Sequence, residues 1–338
     1  MKRHHRIPVF IVAVSLVAAT LPAHAQRTVA FTGATVWDGS GTPAGVADIL
    51  VVDGRIVEVG KPAIPSHAAV LDFSGKWIIP GLVEAHAHVS GYWSPDHVSD
   101  PVARMVEELG LYARYGVTTV NSLGDEPPDV RQLRDVQDTP ILERARVTYA
   151  GPVITASTPG EARAAVAENA AADVDWMKIR VDDNLGTTTK MPWNAVQAVL
   201  DASHQRGLRL ATHLFYLDDA KRLLRMGTDL VAHSIRDAEV DDEVIELLKE
   251  TGTCYVPTLT REVSAFVYGD RPEFFDDPFF QEGAKEGEIA KVSEPTFMQA
   301  MRESTAAAGY REGLGQALTN LKRLSDAGIP IAFGTDVG

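Results

Sequence analysis

The chain has 338 residues, 45% of them apolar and 23% charged, and its 32 basic and 46 acidic side chains give a formal net charge of -14. That length and apolar content can bury one large core, or a large one and a small one, which excludes disordered, collagen-like and low-complexity classes. The acidic balance argues against nucleic acid or an anionic membrane surface as a partner.

Residues 1–25 read as a secretory signal peptide. Met1-Lys2-Arg3-His4-His5-Arg6 is basic, Ile7 to Leu21 is almost wholly apolar, and Ala23-His24-Ala25 has the small-x-small form of a cleavage site. The apolar run is shorter than the roughly 20 residues a membrane span needs. Cleavage before Gln26 removes Lys2, Arg3 and Arg6 and no acid, moving the net charge to about -17. Cys254 is the single cysteine, so no internal disulfide forms, and no cysteine near the cleavage site supports a lipid anchor. The expectation is an exported chain, periplasmic or secreted, with no membrane contact after signal cleavage.

Residues 26–76 are short and β-like. Runs rich in Val and Ile are punctuated by Asp-Gly at 38–39 and 53–54, the strongest short hairpin signal. This stretch is expected to be a small, incomplete β-sandwich domain. His67 stands in a Pro-Ser-His turn within it and reads as a surface residue.

From Trp77 the rhythm changes to an amphipathic helix, a glycine and a short apolar strand. It recurs as LYARYG-VTTVNS, DASHQRG-LRLATHL, KRLLRMG-TDLVAHS, LLKETG-TCYVPTL and LKRLSDAG-IPIAFGTD. Gly116, Gly207, Gly227, Gly252 and Gly328 stand where a helix ends in a left-handed residue. Val196, Val199, Leu200 and Ser203 share one helical face, as do Val244, Leu247 and Leu248. Thr158-Pro159-Gly160-Glu161 is a capping box with proline in the first turn.

Repeated βα units require parallel strands. Strand ends fall near His86, Val120, Tyr149, Lys178, His213, His233, Pro257 and Asp336. Eight such strands predict an α/β fold, a (β/α)8 TIM barrel over 77–338 behind the small N-terminal β-domain. No glycine-rich phosphate loop follows the first strand, which disfavours a dinucleotide site. An insert at 260–308 interrupts the barrel and carries Phe266, Tyr268, Phe274, Phe275, Phe279 and Phe280, rings that either line a substrate lid or pack the insert down.

In a barrel of this kind chemistry belongs at the C-terminal strand ends. Reading only those ends returns His86 and His88 of GLVEAHAHV, Lys178 of DWMKIRV, His213 of LATHLF, His233 of LVAHSI and Asp336 of FGTDVG. His86 and His88, two residues apart on a strand, face one space, and imidazoles converging beside a carboxylate make part of a metal site. His97 and His204 fall in a loop and on a helix.

These pieces resemble the amidohydrolase superfamily of metal-dependent hydrolases, and most of all its imidazolonepropionase and prolidase-like dipeptidase branch. The resemblance covers the chain from the β-domain onward and implies two divalent ions, with zinc favoured by the mixed N and O donors. It implies that His86, His88 and Asp336 bind the first ion, that His213 and His233 bind the second, and that a carbamylated Lys178 bridges both. Asp336 would then be the catalytic base, passing the proton of the attacking water to the leaving amine. The implied reaction is hydrolysis of an amide or peptide-like C–N bond in a dipeptide or N-acyl amino acid. A deaminase, a cyclic amide or lactone hydrolase, and a metal-binding protein without turnover remain as alternatives, although Lys178 disfavours the one-metal deaminases. Tyr216 and Arg236, just past His213 and His233, are candidates to reach a substrate carbonyl or carboxylate. A homo-oligomer stays open. Similar proteins run on past the eighth strand with a covering helix and strands returning to the β-domain, so the sequence is expected to be truncated at its C-terminus.

Overall fold

The computed structural model describes residues 27–183, 185–285 and 287–337, so the expected signal peptide at 1–25 lies outside the described residues. Two compact units divide at Ile79/Pro80, three residues beyond the expected boundary.

The first unit holds β1 (Thr28–Val36), β2 (Gly45–Val52), β3 (Arg55–Gly60), β4 (Ala69–Asp72) and β5 (Trp77–Ile78). Its order is β3-β2-β1-β4, with β5 also pairing β1. Asp53 (φ 48°) and Gly54 (φ 77°) turn β2 into β3, the left-handed pair that a two-residue hairpin requires. The other Asp-Gly sits in the longer loop between β1 and β2. The described strands of this unit form one five-stranded sheet.

The second unit alternates strands and helices. It runs β6 (Leu82–Ala87), α1 (Pro101–Arg114), β7 (Val117–Ser122), α2 (Val130–Asp135), β8 (Arg146–Tyr149), α3 (Pro159–Ala171), β9 (Trp176–Arg180) and α4 (Trp193–His204). Then come β10 (Arg209–His213), α5 (Leu217–Met226), β11 (Leu230–Ala232), α6 (Asp242–Thr251) and β12 (Cys254–Val256). All seven strands are parallel and lie in two sheets, β6-β7-β8 and β9-β10-β11-β12. One bridge, Ile154 to Ile179, reaches β9 from the segment after β8, and another joins Tyr255 of β12 to Ile331. The described strands therefore form two parallel arcs and not a continuous eight-stranded ladder. At the eighth position Pro330 has no N–H to give a ladder and Asp336 takes a left-handed φ of 60°, so the segment bonds at single points.

The five glycines between helix and strand all have positive φ, from 66° to 95°. Gly227 and Gly252 are the left-handed caps of α5 and α6. Thr158 accepts from the Glu161 N–H at 3.2 Å, and the Glu161 carboxylate reaches back to the Ser157 N–H at 2.8 Å, one residue earlier than the motif implies. Val196, Val199, Leu200 and Ser203 of α4 are buried together, as are Val244 and Leu248 of α6, so the helical stripes cover the strands.

After β12 the chain forms α7 (Leu259–Ser264), two short 3-10 turns, α8 (Pro278–Gln281), α9 (Glu288–Val292), α10 (Pro295–Glu303) and the long α11 (Thr305–Asp326). The insert's rings pack on one another. Buried Phe275 stacks with Tyr268 and Phe280 at 5.8 and 5.7 Å, and Phe279 meets Tyr115, just past α1, at 4.7 Å. Among the described residues no helix is long and apolar enough to cross a membrane.

Candidate metal centre

Strand alternation sends Glu84, His86 and His88 to one face of β6 and its extension. Glu84 is buried and fastens the segment opposite. Its Oε1 accepts from the N–H of His86 (2.9 Å) and of Thr335 (3.0 Å), and its Oε2 accepts from the Thr335 hydroxyl (2.8 Å). The Asp336 N–H donates to the His86 carbonyl at 2.7 Å and the His88 N–H to the Val337 carbonyl at 2.8 Å. Asp336 is thereby held against both histidines in a left-handed conformation that non-glycine residues rarely adopt.

His86 Nε2 and His88 Nε2 lie 3.1 and 3.0 Å from the same Asp336 Oδ1. His88 Nδ1 is 2.9 Å from the Gly124 carbonyl, an oxygen that can only accept, so the neutral ring carries its proton there. In that neutral ring Nε2 faces the carboxylate oxygen lone pair to lone pair at 3.0 Å, a repulsion relieved by a divalent cation or by a proton on Nε2. The three atoms form a set suited to a divalent ion. The residues present fit the metal that the strand-end pattern implies.

Burial and the Lys178 charge push His86 down to about 3, keeping it neutral. Burial is the largest influence on His88 and works against protonation, but the bond to Asp336, that carboxylate's charge and the Gly124 carbonyl together raise the ring above its ordinary value. For Asp336 burial favours the neutral acid, yet the bonds to the two histidines hold the carboxyl well below the usual range.

Lys178 on β9 is buried and places Nζ 2.9 Å from His86 Nε2. Burial lowers its pKa to about 8, with Asp336 and Glu126 pulling the other way. His213 ends β10 and His233 follows β11, and their rings lie 4.0 Å apart, with His86 and His233 at 4.7 Å. Burial lowers His213 to about 4 and His233 well below its ordinary value. His233 Nδ1 meets the Thr258 hydroxyl at 2.6 Å, and both residues have left-handed backbones. The six strand-end residues thus come together.

The two residues expected to meet substrate have other protein partners. Tyr216 donates its hydroxyl to Asp183 Oδ1 at 2.6 Å beneath Lys190, whose Nζ sits 3.9 Å over the ring. The Arg236 side chain is fully buried, with Nε 3.2 Å from Glu262 Oε1 and Nη1 donating to the Leu214 and Ser234 carbonyls. The arginine that does meet the cluster is Arg261 of α7, whose Nε lies 3.4 Å from Asp336 Oδ2.

Sequence reasoning also passed over Glu84, Thr258, Thr335 and Asp182, which contacts His213 Nε2. Glu84 was recoverable, standing two residues before His86 on the same strand face. Arg261 was not, because nothing in the insert's sequence says which residue folds back over the strand ends. A cavity of about 650 Å³ lined by Trp93, His97, Glu107, Arg114, Glu282 and Lys285 lies apart and shares no residue with the cluster.

No family model matches the chain. An uncharacterised protein of Mycobacterium tuberculosis is 28% identical over 314 residues, covering 89% of this chain and 74% of its own. An N-acyl-D-aspartate deacylase of Alcaligenes xylosoxydans xylosoxydans is 40% identical over 70 residues, 21% of this chain and 14% of its own. Among solved structures, a prolidase candidate from Bifidobacterium longum superposes with a TM-score of 0.70 at 25% identity, covering 92% of this chain and 74% of that one.

Proposed function

We infer from these neighbours, which are amidohydrolase-superfamily proteins and hydrolases acting on C–N bonds, that the chain is a metal-dependent amidohydrolase. The substrate proposed is a small peptide-like molecule, a dipeptide or an N-acyl amino acid, in line with the prolidase and deacylase resemblances. The observation that carries the reading is the convergence of His86 Nε2, His88 Nε2 and Asp336 Oδ1. The strands are proposed to close into a (β/α)8 barrel, which the bridges to Ile154 and Ile331 and the bond from Ala85 N–H to the Phe333 carbonyl (2.9 Å) support.

The ligand assignment proposed is His86, His88 and Asp336 for the first ion, His213 and His233 for the second, and Lys178 for both. When bound, the ions, with zinc favoured, supply a Lewis acid for the scissile carbonyl and a water acidic enough to attack near neutral pH. Lys178 serves only after its unprotonated amine has added to carbon dioxide, forming an N–C bond and releasing one proton to leave an anionic carbamate. A pKa near 8 makes that amine available at neutral pH. Asp336 Oδ2, the oxygen outside the ligand set, takes the proton of the attacking water and returns it to the leaving amine. Arg261 beside that oxygen holds the carboxylate in place.

The mature chain is proposed to act outside the cytoplasm, on the strength of residues 1–25; recovery of the uncut chain in the cytoplasmic fraction would refute this. The decisive measurement for activity is a panel of dipeptides, N-acyl amino acids and lactones with protein reconstituted in zinc and bicarbonate. Hydrolysis of the first two groups is expected, dependent on bicarbonate. Lys178→Ala is expected to lose more than about 100-fold in kcat/KM and to fall below two ions per chain. Tight metal binding with no turnover on the panel would overturn the reading.

A further inference from the structure

The parallel register between β9 and β10 sets Arg180 opposite His213, and the Val181 N–H donates to the His213 carbonyl at 2.8 Å. One residue further, the Asp182 side chain comes against the His213 ring. Its Oδ2 is in hydrogen-bond contact with His213 Nε2, and its Oδ1 accepts from Arg180 Nε at 3.0 Å. The Asp182 side chain is 3% exposed and that of His213 10%, so little water competes for this bond.

The four imidazoles differ in which nitrogen is taken. His88 and His233 engage Nδ1, with the Gly124 carbonyl and the Thr258 hydroxyl, and so leave Nε2 for a ligand. His86 turns Nε2 to Asp336, while its Nδ1 has no hydrogen-bond partner among the described residues. In His213 the pattern is reversed. A carboxylate accepts from Nε2–H, and the lone pair left over is on Nδ1.

We propose that Asp182 is a positioning residue for the second ion: it fixes His213 as the Nε2–H tautomer and turns Nδ1 into the centre. A carboxylate on the far nitrogen also makes the ring a stronger donor. Arg180 on the other oxygen orients the carboxylate. The inference rests on the two-metal reading, in which His213 is a ligand.

The test uses the full chain, wild type, Asp182→Asn and Asp182→Ala, titrated with zinc against a chromophoric chelator. Asp182→Ala is expected to weaken one of two ions by about 10- to 100-fold and leave the other unchanged. Asp182→Asn, which keeps an accepting oxygen without the charge, should fall between. In parallel, 15N-histidine NMR should show His213 protonated at Nε2 in the metal-free wild type, and this preference should vanish in Asp182→Ala. Unchanged affinity for both ions, or equal loss of both together with a lower melting temperature, would overturn the proposal, as would a His213 protonated at Nδ1. A wild type that binds fewer than two ions would refute the two-metal reading instead, and the metal-free spectrum would still decide whether Asp182 sets the tautomer.

Discussion

Glu84 shows how much a single side chain can organise. It accepts three hydrogen bonds from two segments and carries no ligand atom of the proposed first ion. Replacing it with alanine strands those donors in a buried place, at about 1–3 kcal/mol for each unsatisfied group. Glu84→Ala is therefore expected to lower the melting temperature and to weaken the His86–His88–Asp336 ion more than the other, measured by calorimetry and by metal titration. Equal affinity for both ions in the variant would show that Asp336 does not depend on this brace. At this scale the side chains that cluster were legible, because histidine, lysine and aspartate stand out at apolar strand ends. Their supports were not: a carboxylate that bonds to backbone N–H groups leaves no mark in sequence, and Arg236 in sequence looks the same buried as exposed.

Among the elements, α1 carries a second buried acid. Glu108 accepts from the N–H groups of Ser90 and Gly91, tying the helix to the loop after His88. Burial raises its pKa above the ordinary value despite those bonds. The folded state therefore holds this proton to higher pH than the unfolded chain does. The contribution to stability is full below the unfolded value and is lost as pH rises through the folded one. Glu108→Gln keeps an accepting oxygen and removes the titration. It is expected to raise the melting temperature at pH 8 relative to wild type and to flatten this loss, read from melting curves at several pH values; an identical pH profile would exclude Glu108 as its source. Element boundaries were legible where glycine and the capping box punctuate the text, since both act through local backbone geometry. The eighth strand was not, because Pro330 and the left-handed Asp336 replace a regular ladder with single bonds. The insert's rings resolve as packing, with Phe275 enclosed by its neighbours.

For the whole molecule, the two parallel arcs follow from the βα rhythm, and the clustered histidines, Lys178 and Asp336 sit where separate strands end. Ions that bind only the folded chain stabilise it by mass action, about 2.7 kcal/mol at a hundredfold excess over Kd. Chelation of the metals is thus expected to lower the melting temperature by several degrees, with zinc restoring it; a melting curve indifferent to chelator would place the ions off this cluster. The division at Ile79/Pro80 falls close to the change of rhythm near Trp77. Alternating strands specify a sheet but do not say whether a second sheet covers it.

His88 and Asp336 are 248 positions apart in the chain, and Glu84 and Thr335 are 251 apart. A polypeptide still being synthesised therefore cannot assemble the first ligand set until the segment around Asp336 has left the ribosome. If that set holds the proposed first ion, metal capture there waits on synthesis of the segment around Asp336.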